Sequence, residues 1–108
     1  MDHHIAGGEY LNKKEAKLRF RQDILNSWDH KCAYCGDDLG RIATLDHVHP
    51  KSKGGLTTKG NLVPACFSCN ISKSDVQPFS SWYQRQSFFC ADKEQKILAW
   101  MRVFTDAA

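Results

Sequence analysis

No run in this 108-residue chain approaches the roughly 18 consecutive apolar residues that cross a bilayer. The opening, MDHHIAGGEY, also lacks the apolar region of a signal peptide. These absences exclude a membrane-spanning segment and lead to the expectation of a cytoplasmic protein without a membrane partner. No internal repeat or low-complexity stretch is present. Acid is scarce where base is dense. Residues 10–21 carry Lys13, Lys14, Lys17, Arg19 and Arg21 against Glu15 alone, and residues 41–73 carry Arg41, Lys51, Lys53, Lys59 and Lys73 against Asp46 alone. Five bases against one acid leave each segment at +4 although the whole chain is +3. Such local excess suits a polyanionic partner, while on a helix it also serves simply to keep a surface wet.

What is present fits a folded domain. Hydrophobic residues at 42% and charged residues at 25% place the chain among soluble globular proteins and away from disordered ones. At this length one domain is expected, with a core modest enough to gain from a metal or disulfide staple. Residues 1–9 have no periodicity and read as a mobile tail, followed by a single domain over 10–108. Asn12 and Glu15 form a capping-box pattern that starts a basic helix within 10–30, with Phe20, Ile24 and Trp28, flanked by Leu18 and Leu25, on its apolar face. From Lys31 to Pro50 helical spacing stops, and two turns and a strand suggest a short hairpin. KSKGGLTTKG reads as an exposed loop, and a short helix is expected at 67–74. In the helical extension over 77–108, SSWYQRQSFF reads as one helix. Asp92 and Gln95 cap another that shows Ile97, Trp100, Met101 and Phe104 on one face.

Five cysteines are present, and four of them form two close pairs, Cys32-Ala-Tyr-Cys35 and Cys66-Phe-Ser-Cys69. Two such turns supply the tetrahedral sulfur shell that structural Zn²⁺ prefers, and a reducing compartment disfavours the disulfide alternative. With every position filled by sulfur, such a zinc organises structure and catalyses nothing. Cys90, beside Phe88 and Phe89, reads as a buried thiol. The thirty residues between the pairs are long for a simple zinc ribbon. They hold Asp46-His47-Val48-His49-Pro50 and Asn61, and Asn70 directly follows the last cysteine of the second pair. A carboxylate and two amides are hard oxygen donors that suit Mg²⁺ or Mn²⁺. On a strand Asp46 and His47 point to opposite faces, so a metal and a base could approach from different sides.

This ordered set resembles the HNH endonucleases of the ββα-metal (His-Me finger) fold, in their zinc-containing, four-cysteine subgroup. The resemblance covers about Lys31 to Asp75. It rests on Cys32-x-x-Cys35-Gly36, Asp46-His47 with Pro50, Gly54-Gly55, Asn61-Leu62-Val63, Cys66-x-x-Cys69-Asn70 and Lys73. It implies an α+β fold: a ββα-metal core over 31–76, stapled by the four-cysteine zinc site and flanked by N-terminal and C-terminal helices. It also implies that Asp46 binds a catalytic divalent cation, that His47 is the general base, that Asn61 orients it and that Asn70 is the second ligand. Asn70 stands where the family name has a histidine, a His-Asn-Asn version that shifts the ligand set towards oxygen and hence Mg²⁺ or Mn²⁺. In-line hydrolysis of DNA leaving 5′-phosphate and 3′-hydroxyl ends would follow. Lys51, Lys53 and Lys73 are expected to steady phosphates, and His49 to support. A solvated lysine is the alternative for Lys73. The other readings of the whole are a noncatalytic zinc module that binds nucleic acid or protein, and a redox protein built on the cysteine turns. No second recognition domain is evident, so weak specificity for duplex DNA, or specificity lent by a protein partner or a dimer, is expected.

Overall fold

The computed structural model describes residues 3–5 and 9–106. Strands β1 (His3–Ile5) and β2 (Glu9–Leu11) pair antiparallel, with His4 opposite Tyr10. The tail expected over residues 1–9 therefore contains a strand; residues 1–2 and 6–8 of it lie outside the described residues. Main-chain pairing needs no apolar periodicity, the cue whose absence suggested a tail.

Helix α1 (Lys13–Ser27) begins as its sequence dictates. The Asn12 side chain accepts from the Glu15 amide at 2.8 Å and Glu15 accepts from the Asn12 amide, the reciprocal capping box. Ile24, Leu25 and Trp28 are buried and Phe20 packs beside them. Leu18 is 57% exposed, because the core under the helix begins only at Phe20.

A single bridge, Lys31 to Asp38, closes the first cysteine turn. The strand after it, β3 (Thr44–His47), finds its partner beyond the glycine loop, in β4 (Leu62–Ala65), with Asp46 opposite Val63 and His47 opposite Leu62. The hairpin anticipated between Lys31 and Pro50 is thus replaced by a longer one. All four β4 residues are buried, so the strand carries no polar alternation by which to recognise it. Helix α2 (Phe67–Lys73) follows with Cys66 as its N-cap. β3, β4 and α2 form the expected ββα core of an α+β fold.

Two further helices complete the molecule. α3 (Phe79–Tyr83) is shorter than the helix expected through SSWYQRQSFF. Phe88 and Phe89 turn back onto Tyr83, at 6.3 and 5.0 Å between ring centroids. Residues five and six apart on one helix do not share a face, so these contacts require the helix to stop. α4 (Ala91–Asp106) starts one residue before Asp92, which therefore lies inside the first turn and is not its cap. Cys90, just before α4, is half-buried and not fully enclosed. Ile97 of α4 is fully buried, Trp100 meets Trp28 edge to face, and Trp100 Nε1 donates to the carbonyls of Lys59 and Leu62. Gly60 lies under this helix: a Cβ there would come within 2.7 Å of Phe104 Cβ. No helix among the described residues is long and apolar enough to cross a membrane.

Candidate active site

The two cysteine turns meet where the first loop, β4 and α2 converge. The Ala33 amide donates to the Pro64 carbonyl and the Gly36 amide closes its turn on the Cys32 carbonyl, each at 2.9 Å. Gly36 has φ +84, the left-handed conformation glycine adopts at least cost. The amides of Cys35 and Cys69 point at the sulfurs of Cys32 and Cys66, at 3.5 and 3.4 Å. All four Sγ atoms lie within 4.8 Å of one another, and Cys35 Sγ is 3.8 Å from Cys66 Sγ. A tetrahedron with Zn–S bonds of about 2.3 Å has edges of about 3.8 Å, which the Cys35–Cys66 pair already matches, and the whole set lies within about 1 Å of that spacing. Burial pushes the Cys35 thiol up to about 12 and the Cys69 thiol higher still. A bound dication reverses that penalty on four gathered thiolates.

Beside this cluster the end of β3 and the start of the following loop form a cleft of about 230 Å³. Asp46, His47, Lys51 and Asn70 contribute to its walls, with Ser74 and Asp75 beyond α2. Asp46 and His47 thus both border one cleft at the end of β3. Asp46 is buried. Its Oδ2 accepts from the Tyr34 hydroxyl at 2.6 Å and pairs with Lys73 Nζ at 3.1 Å. Burial raises the Asp46 carboxyl above its ordinary range, against the opposing pull of Lys73 and Tyr34. His47 Nε2 lies 2.9 Å from Thr57 Oγ1, and partial burial lowers its imidazole below 6.5, with Lys51 and Lys73 adding to the effect and Asp46 opposing it. The Asn70 amide nitrogen donates to Thr44 Oγ1 at 3.2 Å, which leaves its carbonyl oxygen as the donor for a cation. The oxygen chemistry of Asp46 and Asn70 fits Mg²⁺ or Mn²⁺.

The other anticipated residues fall in different places. Asn61 is not among the residues that line the cleft, and none of its side-chain hydrogen bonds goes to His47. Its side chain takes the His49 amide at 2.8 Å and donates to the His49 and Leu56 carbonyls, while its own carbonyl receives the Val48 amide. It therefore fixes the chain just past His47 and shapes the glycine loop. Gly55 is needed there, since a Cβ would lie 1.9 Å from the His49 carbonyl oxygen. His49 Nε2 lies 2.9 Å from the Lys53 carbonyl, a supporting contact. Lys51 and Lys53 are exposed on a single 3₁₀ turn. Lys73 departs from both earlier readings. It is 0% exposed, and its ammonium binds the His47 carbonyl at 3.0 Å as well as Asp46, so neither an outward phosphate contact nor a solvated lysine describes it. Tyr34, Thr44 and Thr57 were not anticipated. Only Tyr34 carried a signal, as the aromatic inside a cysteine turn.

A cleft lined by Asp46, His47 and Asn70 and a cluster of four cysteines are thus carried on one ββα unit, the architecture of a small nuclease-type domain. Residues 32–75 match the family model described as HNH endonuclease. It is 40% identical over 67 residues to the CRISPR-associated endonuclease Cas9 of Actinomyces naeslundii, covering 60% of this chain and 6% of that protein. The Cas9 of Corynebacterium diphtheriae is 37% identical over 59 residues, 53% of this chain and 5% of the relative. The prophage-derived protein YoqL of Bacillus subtilis is 29% identical over 98 residues, 79% of this chain and 41% of YoqL. Among solved structures, the Type II-C Cas9 enzyme of Actinomyces naeslundii superposes with a TM-score of 0.61 at 27% identity, over 77% of this chain and 10% of that one. The chain thus spans only a small part of its Cas9 relatives and less than half of YoqL.

Proposed function

We propose that this protein is a divalent-metal-dependent endonuclease that hydrolyses phosphodiester bonds of duplex DNA, nicking or cutting it with weak sequence preference. The observation that carries the reading is the gathering of Asp46, His47 and Asn70 around one cleft, since a module that only binds has no use for a base beside a cation site. Cys32, Cys35, Cys66 and Cys69 would hold structural Zn²⁺. Asp46 and Asn70 would hold Mg²⁺ or Mn²⁺, which when bound stabilises charge on the scissile phosphate and the leaving oxygen. His47 supplies the base. Its neutral imidazole takes a proton from water: in the tautomer whose Nε2–H donates to Thr57 Oγ1, Nδ1 is the acceptor. Asn61 acts behind it, holding the chain at Val48 and His49 so that His47 keeps its place. Lys51, on the cleft wall, and Lys53, on the same turn, would position the DNA backbone without reading bases.

A plasmid-nicking assay tests this. Purified protein with Mg²⁺ or Mn²⁺ should relax supercoiled plasmid, and His47→Ala should lower the rate by about 10²-fold or more with the fold retained. Intact plasmid in both metals, or equal cutting by His47→Ala, would leave the noncatalytic zinc module as the reading.

A further inference from the structure

The turn that carries the first two cysteines also reaches the cleft. Tyr34, between Cys32 and Cys35, is fully buried, and its hydroxyl donates to Asp46 Oδ2 at 2.6 Å. Lys73 Nζ approaches the same oxygen at 3.1 Å. Both partners fall on Oδ2, so Oδ1 is the oxygen left for a cation. A carboxylate free to turn about its Cβ–Cγ bond would offer either oxygen in any plane, whereas one gripped through Oδ2 offers the other in a fixed direction.

Of the two partners, Tyr34 sets direction better. An ammonium on a four-carbon stem is a point charge with rotatable donors. The Tyr34 ring is enclosed by rings from α3, with Trp82 at 5.2 Å, Tyr83 at 5.6 Å and Phe79 at 6.3 Å. The Tyr83 hydroxyl also donates to the Tyr34 carbonyl at 2.6 Å. Backbone and ring are thus both held, and the phenol delivers its O–H to one point.

We infer that Tyr34 is a positioning residue for the catalytic cation: it fixes Asp46 through Oδ2 so that Oδ1 faces the cleft, and it ties that geometry to the cysteine turn on which it stands. The inference rests on the reading of Asp46 as a cation ligand. It predicts that removing one hydroxyl weakens the cation site while sparing the zinc site, although the hydroxyl belongs to the zinc-binding turn.

The test is Mn²⁺ binding by electron paramagnetic resonance on the zinc-loaded full chain without DNA, for wild type, Asp46→Ala and Tyr34→Phe. Asp46→Ala should lose binding, and Tyr34→Phe should weaken it about tenfold or more with zinc content unchanged, the range that supporting partners of metal ligands typically command. In nicking, the half-saturating Mn²⁺ concentration of Tyr34→Phe should rise by a similar factor, with a smaller loss of rate at saturation. Asp46→Ala binding Mn²⁺ as tightly as wild type overturns the ligand assignment itself. Asp46→Ala losing binding while Tyr34→Phe matches wild type overturns only the role of Tyr34. Should Tyr34→Phe lose zinc, NMR of the wild type decides. The Tyr34 hydroxyl proton should give a slowly exchanging resonance that survives saturation with Mg²⁺, and its disappearance on saturation would show that Tyr34 releases Asp46 when the cation arrives, overturning the inference.

Discussion

Lys73 and Asp46 form a buried ion pair at the floor of the cleft, and removing one member leaves the other charged group without compensation. Lys73→Met should destabilise the protein by about 3 kcal/mol in chemical denaturation without divalent metal. Under the proposed assignment, Mg²⁺ should recover part of that loss, because a dication on Asp46 replaces the missing ammonium; no recovery would argue against a cation there. His47 gives a second test at this scale. Its lowered pKa leaves the imidazole more than half neutral at pH 6.5, where an ordinary histidine is half protonated. Protonation removes the base, so kcat/KM should reach half its maximum on the acid side at a pH below 6.5, and Lys51→Gln, by removing a nearby positive charge, should move that acid limb upward. A pH–rate profile with half-maximal activity above 6.5 in the wild type would contradict the assignment.

At the scale of elements, the cysteine cluster joins the first loop to α2 across β4. Cys66 contributes twice, as a member of the cluster and as the N-cap that accepts the Cys69 amide. Cys66→Ser should therefore lose activity through loss of zinc and a lowered melting temperature, whereas His47→Ala should lose activity with zinc and melting temperature kept. Zinc analysis and thermal melts on the two variants separate the cases. The same elements show what could be read in advance. The capping box at Asn12, the helix at Phe67–Lys73 and the four cysteines were legible because each signal is local, a cap or a spacing within a few residues. β4 was not, since a fully buried strand has no alternation, and neither was the end of α3, which the rings of Phe88 and Phe89 impose. In the site, Asp46, His47 and Asn70 were legible as chemistry. The burial of Lys73, twenty-seven positions after its partner Asp46, and the grip of Tyr34 on Asp46 depend on tertiary packing and leave no local pattern.

Across the whole molecule, the bases that looked alike in the sequence divide into separate duties. Lys73 is enclosed, Arg21 donates to the Ala43 carbonyl, and Lys59 lies over the Phe104 ring at 5.0 Å. The C-terminal helix meanwhile grips the turn that carries Asn61, through Trp100 and the close approach of Gly60 to Phe104. Lys51 and Lys53 stand on their exposed turn beside His47, where a DNA backbone delivering a phosphate to the cleft would meet them. Each phosphate neutralised releases counterions, so binding should weaken with salt at a slope of about −0.9 per contact. Lys51→Gln with Lys53→Gln should then flatten the plot of log K against log salt by about 1.8 and weaken binding similarly across duplex sequences. Fluorescence anisotropy with two unrelated duplexes over a salt series reads both quantities. An unchanged slope would place the DNA on another face of the molecule.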